Sequence, residues 1–130
     1  MPDGRRLISS GGPYEASVDY SRAVVVGDSC WVSGTTDAGP DGRSQHPGDA
    51  RAQALAAWRI VETALVEGGF GLADVVRTRM YVVSIGDAPA ALDVHGELFS
   101  DIRPVATIVQ VTALIEPSLL VEVEAEARRV

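Results

Sequence analysis

The sequence predicts a single α+β domain, residues 1–130, in which one mixed sheet of about six strands carries two helices on one face. The chain has 130 residues, which is about one domain. Two segments have the apolar spacing of amphipathic helices, and several short β-branched runs surround them. Two helices can cover only one face of such a sheet, so we expect the other face to be solvated or covered by another chain.

The first part of the sheet is predicted from a β-hairpin. The apolar runs at residues 23–26 and 29–33 are joined by a Gly-Asp pair, which favours a tight turn. Residues 6–9 are predicted to add an edge strand. Residues 35–48, which are rich in glycine, aspartate, proline and serine, are predicted to form a loop.

Two helices follow from apolar spacing and from capping residues. The first spans residues 49–67, with Asp49 as its N-cap and a Gly-Gly pair after its end. Its apolar positions are Ala54, Trp58, Val61 and Leu65. The second spans residues 87–100, with Asp87 as its cap and Pro89 in its first turn. Its apolar stripe is predicted to be Leu92, Leu98 and Phe99.

The remaining strands are predicted at residues 74–83, 105–111 and 119–127. In the first of these, Val76, Thr78, Met80 and Val82 should share one face, opposite Arg77, Arg79 and Tyr81. The last strand alternates strictly, and its polar positions are Glu122, Glu124 and Glu126. Like charges spaced about 7 Å apart repel, so we predict that the two strands are neighbours and that the arginines offset the glutamates.

Composition and charge exclude several classes of function. The net charge is -7 and the chain contains no lysine, which argues against binding to nucleic acid or to an anionic membrane. No apolar run reaches the ~20 residues of a membrane span, and no signal peptide is evident, so we expect a cytoplasmic protein. The single cysteine, Cys30, excludes an internal disulfide and is predicted to be a small buried side chain. His46 and His95 share no metal-ligand spacing, so no metal is expected.

A set of short motifs occurs along the chain in a fixed order. They are Pro13-Tyr14, DYSRAV at residues 19–24, WVSG at 31–34, GGFGLADVVR at 68–77, Arg103-Pro104 and VEVEA at 121–125. None of them is decisive alone. The ordered set, with its spacing, resembles the RidA family, also called YjgF/YER057c/UK114 or L-PSP endoribonucleases, over about residues 8–127.

The resemblance implies a chorismate-mutase-like fold and a homotrimer. Three sheets would form a central barrel with the helices outside, and a small-molecule ligand would bind in each of three clefts between subunits. Active members of the family hydrolyse enamines and imines, such as 2-aminoacrylate, to 2-keto acids and ammonia, and they use no metal or organic cofactor. The acidic charge of this chain opposes the ribonuclease activity in the family's older name.

The resemblance also implies site residues. Tyr20 and Glu122 correspond to the family's catalytic positions, with Glu122 orienting the attacking water. The Ser33-Gly34 pair is expected to bind substrate, and Asp93 stands where many members have a helix asparagine. Tyr14 is expected to reach a cleft.

One departure from the family pattern concerns substrate binding. The family's arginine lies in a Pro-x-Arg-Ser stretch, which here reads Pro-Val-Ala-Thr, so Ala106 and Thr107 hold the arginine and serine positions. That arginine would bind a substrate carboxylate through two charge-assisted hydrogen bonds. Arg103 could enter the cleft in its place, or it could pair with Asp101 or cap the preceding helix. This departure indicates a divergent branch of the family.

Three hypotheses about function remain open. The chain is a RidA-like enamine or imine deaminase or a related hydrolase, a non-catalytic trimer that binds a small ligand, or a structural or chaperone-like trimer. Family membership favours the first, and the missing arginine favours the other two. Release of a keto acid from an imine discriminates the first from the others.

Overall fold

The predicted mixed sheet is confirmed in a computed structural model, which describes residues 4–130. Its strands are β1 (Arg5–Ile8), β2 (Ala23–Val26), β3 (Ser29–Thr35), β4 (Val75–Val82), β5 (Val105–Gln110) and β6 (Val121–Arg128). They are hydrogen-bonded in the order β1-β2-β3-β6-β4-β5. The β4–β5 pair is parallel and the other neighbours are antiparallel. The β2–β3 hairpin therefore lies near one edge of the sheet, and β5 forms the opposite edge.

Residues 4–130 contain three α-helices rather than the two that the sequence predicts. They are α1 (Glu15–Val18), α2 (Ala50–Glu67) and α3 (Ala88–Phe99). The additional helix, α1, has four residues, which is too short to show an apolar period in the sequence. Single 3-10 turns at Leu72–Asp74 and Ile85–Asp87 precede β4 and α3.

The ends of α2 form as its sequence predicts. The Asp49 side chain accepts a hydrogen bond from the Ala52 amide at 3.0 Å. Gly69, just beyond the helix, has a φ of 86°, a left-handed conformation that favours glycine. The four predicted apolar side chains of this helix are fully buried. The predicted cap of α3 is different, because the Asp87 side chain forms no capping hydrogen bond.

A hydrophobic core lies between the helices and one face of the sheet. It combines the buried faces of α2 and α3 with the apolar positions of β6, which are Val121, Val123, Ala125 and Ala127. The glutamates of β6 are only partly buried and lie on the other face. Neither α2 nor α3 covers that face, so it exposes the polar side of the sheet, as the sequence predicts.

Two residues that the sequence predicts on buried apolar faces are exposed in the structure, so these two predictions are wrong. Val76 is 49% exposed because the β4–β6 register shifts between Val75 and Arg77, which puts Val76 in a β-bulge. Leu92 is 44% exposed because α3 packs on the core through a different set of positions. The buried positions of this helix are Ala88, Ala91, Val94 and Phe99. Leu92 is turned about 100° away from Ala91.

The predicted charge pairing between β4 and β6 is confirmed. Arg79 lies opposite Glu124, and Arg77 lies opposite Glu126. The Arg79 guanidinium lies 3.2 Å from Glu126 and 4.0 Å from Glu124, and Arg77 lies 3.9 Å from Glu126.

Cys30 is buried as predicted, and burial raises the pKa of its thiol. No helix within residues 4–130 combines the length and the apolar character that crossing a bilayer requires.

Candidate active site

A cleft of about 260 Å³ opens beside α1, where β2 begins and β3 ends. Its polar lining includes Tyr14, Tyr20, Arg22, Ser33, Gly34 and Glu122. These residues come from four separate parts of the chain, which are the loop before α1, the segment that leads into β2, the second half of β3 and the second residue of β6. The sheet order brings them together, since β3 lies between β2 and β6.

Arg22 is the buried cation at the floor of the cleft, with 6% of its surface exposed. Its Nη1 donates to the Gly34 carbonyl at 2.7 Å and to the Thr35 hydroxyl at 2.9 Å. Its Nε donates to the Ser10 hydroxyl at 3.2 Å. Because one guanidinium ties two other segments, the loop at Ser10 and the end of β3, to the start of β2, Arg22 determines the shape of the cleft floor.

Glu15 is the counter-ion of Arg22. Its carboxylate lies 3.6 Å from the guanidinium, and each of the two side chains is 7% exposed. Ser9 Oγ donates to it at 2.8 Å, and the Gly12 amide donates at 3.0 Å. Ser10 donates through its amide and its hydroxyl. Burial tends to raise the pKa of Glu15, but these hydrogen bonds outweigh it and hold the pKa below its ordinary value.

Tyr20 presents its hydroxyl to the cleft. The Tyr20 oxygen accepts a hydrogen bond from Arg22 Nη2 at 3.1 Å, so its own proton remains available to donate to a ligand. The guanidinium also lies 5.4 Å from the centre of the Tyr20 ring, in cation–π range. Tyr14 lines the same cleft, and its hydroxyl lies 3.5 Å from the Gly42 carbonyl. The long loop after β3 is therefore held against the mouth of the cleft.

Ser33 and Gly34 form the wall nearest to β6. The Ser33 hydroxyl lies 2.9 Å and 3.0 Å from the carbonyl oxygens of Ser21 and Arg22, so it ties β3 to the start of β2. A Cβ at position 34 would lie 2.9 Å from Glu122 Cδ and closer still to Oε2. Glycine at position 34 therefore leaves room for the Glu122 carboxylate in the position that it occupies.

Glu122 is the unpartnered carboxylate of the cleft. It forms no hydrogen bond or ion pair through its side chain with any of residues 4–130. Burial, together with the neighbouring charge of Glu124, raises the pKa of Glu122, and the more distant Arg22 only partly opposes this. A half-buried carboxyl with a raised pKa holds a proton more readily than an exposed one, so it can accept a proton and then donate it.

Glu124, two residues along the same face of β6, is anchored in contrast. The Tyr81 hydroxyl donates to its carboxylate, and Arg79 lies nearby. This hydrogen bond, with burial, raises the pKa of Tyr81 to about 12, so the phenol keeps its proton. Glu124 therefore stays in place beside Glu122 and acts on it as a fixed negative charge.

The other predicted substrate-binding residues lie outside this cleft. Ala106 and Thr107 are on β5, and Asp93 is on α3. Strand β5 is three strand spacings from β3, about 14 Å. Within one copy of the chain these residues cannot meet a ligand beside Tyr20.

Arg103 lies four residues beyond the end of α3 and does not line the cleft. Its φ is 56°, and its amide donates to the Phe99 carbonyl at 2.8 Å, so its backbone ends the helix. Its side chain is exposed, and the expected ion pair with Asp101 does not form among the described residues.

Sequence reasoning missed Arg22 and Glu15 as site residues. The available signal was the position of Arg22 inside the DYSRAV motif, two residues after Tyr20. An arginine at the start of a strand is usually solvated, and its burial depends on Glu15 folding back through α1.

In the part of the chain that the structure describes, no group of three or more His, Cys, Asp or Glu side chains is placed to hold a metal ion.

A family model and a solved structure both relate this chain to the same protein family. The family model for endoribonuclease L-PSP matches residues 13–129. The crystal structure of Rv2704 from Mycobacterium tuberculosis, a member of the YjgF/YER057c/UK114 family, is 46% identical and superposes with a TM-score of 0.87. That match covers 96% of this chain and 99% of that chain.

Two curated relatives are named for deaminase activities. The 3-aminoacrylate deaminase RutC of Acinetobacter baylyi is 30% identical over 83% of this chain and 85% of its own length. A 2-iminobutanoate/2-iminopropanoate deaminase of Capra hircus is 30% identical over 95% of this chain and 89% of its own length. The chain therefore belongs to the RidA family, also known as YjgF/YER057c/UK114 and described by its family model as endoribonuclease L-PSP.

Proposed function

We propose that this chain is a deaminase that hydrolyses a C=N bond in the cleft beside Tyr20. The observation that carries the proposal is Glu122, a half-buried carboxyl without a hydrogen-bond or ion-pair partner among residues 4–130 and with a raised pKa. A general acid–base catalyst needs such a group. The relatives named as deaminases support the same class of reaction.

The reaction needs one carboxyl group that serves twice. The substrate is the iminium ion, the protonated imine. As a base, Glu122 accepts a proton from water while the water oxygen bonds to the iminium carbon and the C=N electron pair moves to nitrogen, which gives a neutral carbinolamine. Glu122 then donates that proton to the nitrogen and the C–N bond breaks with its electron pair on nitrogen. The carbinol oxygen gives up its proton to the departing ammonia as the C=O bond forms. An enamine enters the same path after its carbon takes up a proton, which converts it to the iminium ion. The sum is one iminium ion and one water giving one carbonyl compound and one ammonium ion.

Tyr20 and Arg22 have different parts in this proposal. The Tyr20 hydroxyl, whose oxygen already accepts from Arg22, donates its proton to the water or to the substrate. Arg22 is a positioning residue, since its nitrogens are engaged with Ser10, Gly34 and Thr35 rather than exposed to a ligand.

We also propose that the active form is a homotrimer. Strand β5 is hydrogen-bonded on one side only, and its residues are exposed along nearly its whole length, including Val105 and Val109. An exposed edge strand of this kind favours pairing or packing with another chain. A neighbouring copy would bring Ala106 and Thr107 to the cleft, which explains how they could contact substrate. Light scattering should give the mass of three chains, and a monomer would overturn the trimer.

The activity is tested with imines made in the assay. Amino-acid oxidase and amine oxidase generate imines with and without a carboxylate, and trapping with semicarbazide measures the imine that has not been hydrolysed. We expect the wild-type chain to speed hydrolysis of at least one imine. Glu122→Gln should lower that rate by about 10²- to 10⁴-fold.

Glu126→Gln is the matched control for this experiment. Glu126 lies on the same face of the same strand, but it pairs with Arg77 and Arg79 away from the cleft. It should keep the wild-type rate. Full activity of Glu122→Gln, or no acceleration of any imine by the wild-type chain, would overturn the proposed function.

A further inference from the structure

We propose that the ligand of the cleft is a small organic cation with an apolar tail and no carboxylate, an iminium or ammonium ion. The inference rests on the proposed function only in identifying the iminium as substrate. The preference for a cation follows from the charges and the lining of the cleft.

The cation in the cleft is already neutralised. Arg22 lies 3.6 Å from Glu15, and both side chains are buried. A ligand carboxylate binds an arginine best through two parallel N–H groups. In Arg22 all three guanidinium nitrogens already donate to groups of the protein, with Nη2 committed to Tyr20. Arg22 therefore has no free pair of N–H groups to offer an anionic ligand.

The other nearby arginines are also engaged. Arg77 and Arg79 face the glutamates of β6, at 3.9 Å and 3.2 Å from Glu126. The position at which the family's arginine would bind a carboxylate is Ala106. A neighbouring copy that placed β5 beside the cleft would thus bring no guanidinium at that position.

The charge left over in the cleft is negative. Because Glu15 and Arg22 offset each other, Glu122 is the carboxylate that a ligand can meet. An anionic ligand would be repelled by it, whereas an N–H of an iminium or ammonium ion could donate to it. The same carboxylate then distinguishes a cation from a zwitterion that carries its own carboxylate.

The mouth of the cleft is apolar. Val18 and Ile115 are 59% and 67% exposed there, and Pro13 and Ile60 continue the lining. Covering exposed aliphatic surface contributes roughly 25 cal/mol per Å². A ligand with a branched aliphatic tail fits this mouth, with its nitrogen directed toward Glu122.

Three stable compounds with one shared tail test the inference. Isopentylamine is a cation, leucine is the same molecule with a carboxylate added, and 4-methylpentanoate keeps the carboxylate without the amine. Titration calorimetry, or chemical-shift perturbation, measures the Kd of each with the purified chain. We expect isopentylamine to bind at least about 10-fold more tightly than leucine, and 4-methylpentanoate to bind most weakly.

Two variants assign the binding to the cleft. Glu122→Gln should raise the Kd of isopentylamine about 10-fold or more and bring it closer to the Kd of leucine. Glu126→Gln should leave both Kd values unchanged. Ile115→Ser should weaken all three compounds to a similar extent, because it removes tail contacts only. Absence of isopentylamine binding, equal or tighter binding of leucine, or an unchanged Kd in Glu122→Gln would each overturn the inference.

The outcomes separate this inference from the proposed function. Amine binding that depends on Glu122, together with no hydrolysis of any imine, would leave the ligand class standing and remove the reaction. Faster hydrolysis of imines derived from amino acids than of those derived from amines would leave the reaction standing and remove the ligand class.

Discussion

Glu15 and Glu122 are two carboxylates of one site, and the chain places opposite surroundings around them: many donors around Glu15 and none around Glu122 among residues 4–130. Glu15 is almost fully buried, but hydrogen bonds from three residues and the charge of Arg22 stabilise its ionised form. Glu122 is more exposed, yet it has no such partner among residues 4–130. The pKa of Glu15 is lowered and that of Glu122 is raised.

The difference shows that burial alone does not decide the protonation of a carboxyl group. The number of donors around it does, because each donor replaces hydration that burial removes. Glu15 is a structural anion that fixes Arg22, and Arg22 in turn fixes the cleft floor. Glu122 is left free to exchange a proton. The comparison therefore separates a carboxylate that builds the site from one that can react in it.

The largest effect should come from removing the cation that Glu15 stabilises. Arg22→Met leaves the Glu15 carboxylate buried without its counter-ion and removes the donors to Gly34 and Thr35. Breaking a buried ion pair in this way costs about 3 to 5 kcal/mol. Urea unfolding followed by circular dichroism measures the loss.

Arg79→Met is the matched control for this change. Arg79 also pairs with glutamates, but its side chain is 40% exposed. Exposed pairs contribute about 1 kcal/mol or less, so the control should stay near wild-type stability. Equal stability losses in the two variants would contradict the structural role given to the Arg22–Glu15 pair.

Moving Glu122 without removing it should give the next largest effect. In Gly34→Ala the new methyl group meets the end of the Glu122 side chain, which can swing away. Hydrolysis should fall about 100-fold because a displacement of about 1 Å can misalign a reacting group. Stability should change little, since a flexible side chain yields more easily than backbone.

The control for Gly34→Ala is a glycine with free space around it. A Cβ at Gly96, within α3, would meet nothing within 4 Å. Gly96→Ala should leave hydrolysis unchanged and raise the free energy of unfolding by about 1 kcal/mol, because alanine favours a helix over glycine. If Gly34→Ala keeps the wild-type rate, the position of Glu122 does not matter for the reaction.

Much of the fold was predictable because its signals are local. The strict alternation of β6 fixed which of its side chains face the core, and the charges on β4 predicted their pairing with Glu124 and Glu126. Asp49 and the glycine pair at residues 68 and 69 marked the ends of α2. The bulge at Val76 had no such signal, because it depends on the register between two strands that are distant in sequence.

The candidate site was only partly predictable, for a related reason. Tyr20, Gly34 and Glu122 were identified by resemblance, and they line one cleft. The Arg22–Glu15 pair needed the short helix α1 to fold its carboxylate back onto β2, which no periodic pattern shows. The roles of Ala106 and Arg103 stay predictions, since they depend on a second copy of the chain.

The smallest effect should be in how stability depends on pH, where the two carboxylates act with opposite sign. The pKa of Glu15 is lowered on folding from its ordinary value of 4.5. The stability it contributes is thus present above pH 4.5 and is lost as the pH falls through its folded pKa. The pKa of Glu122 is raised from the same value. Its contribution is present below pH 4.5 and is lost as the pH rises through its folded pKa.

Urea midpoints from about pH 3 to about pH 8 separate the two groups through their slopes. Glu15→Gln lowers stability at all pH values because it weakens the pair with Arg22, but it should also flatten the loss of stability on acidification. Glu122→Gln should instead flatten the loss of stability as the pH rises above 4.5. If the slope of stability against pH changed in the same direction in both variants, the pKa values of the two carboxyl groups would be shifted with the same sign on folding. The assignment of Glu122 as the group that exchanges a proton would then fail.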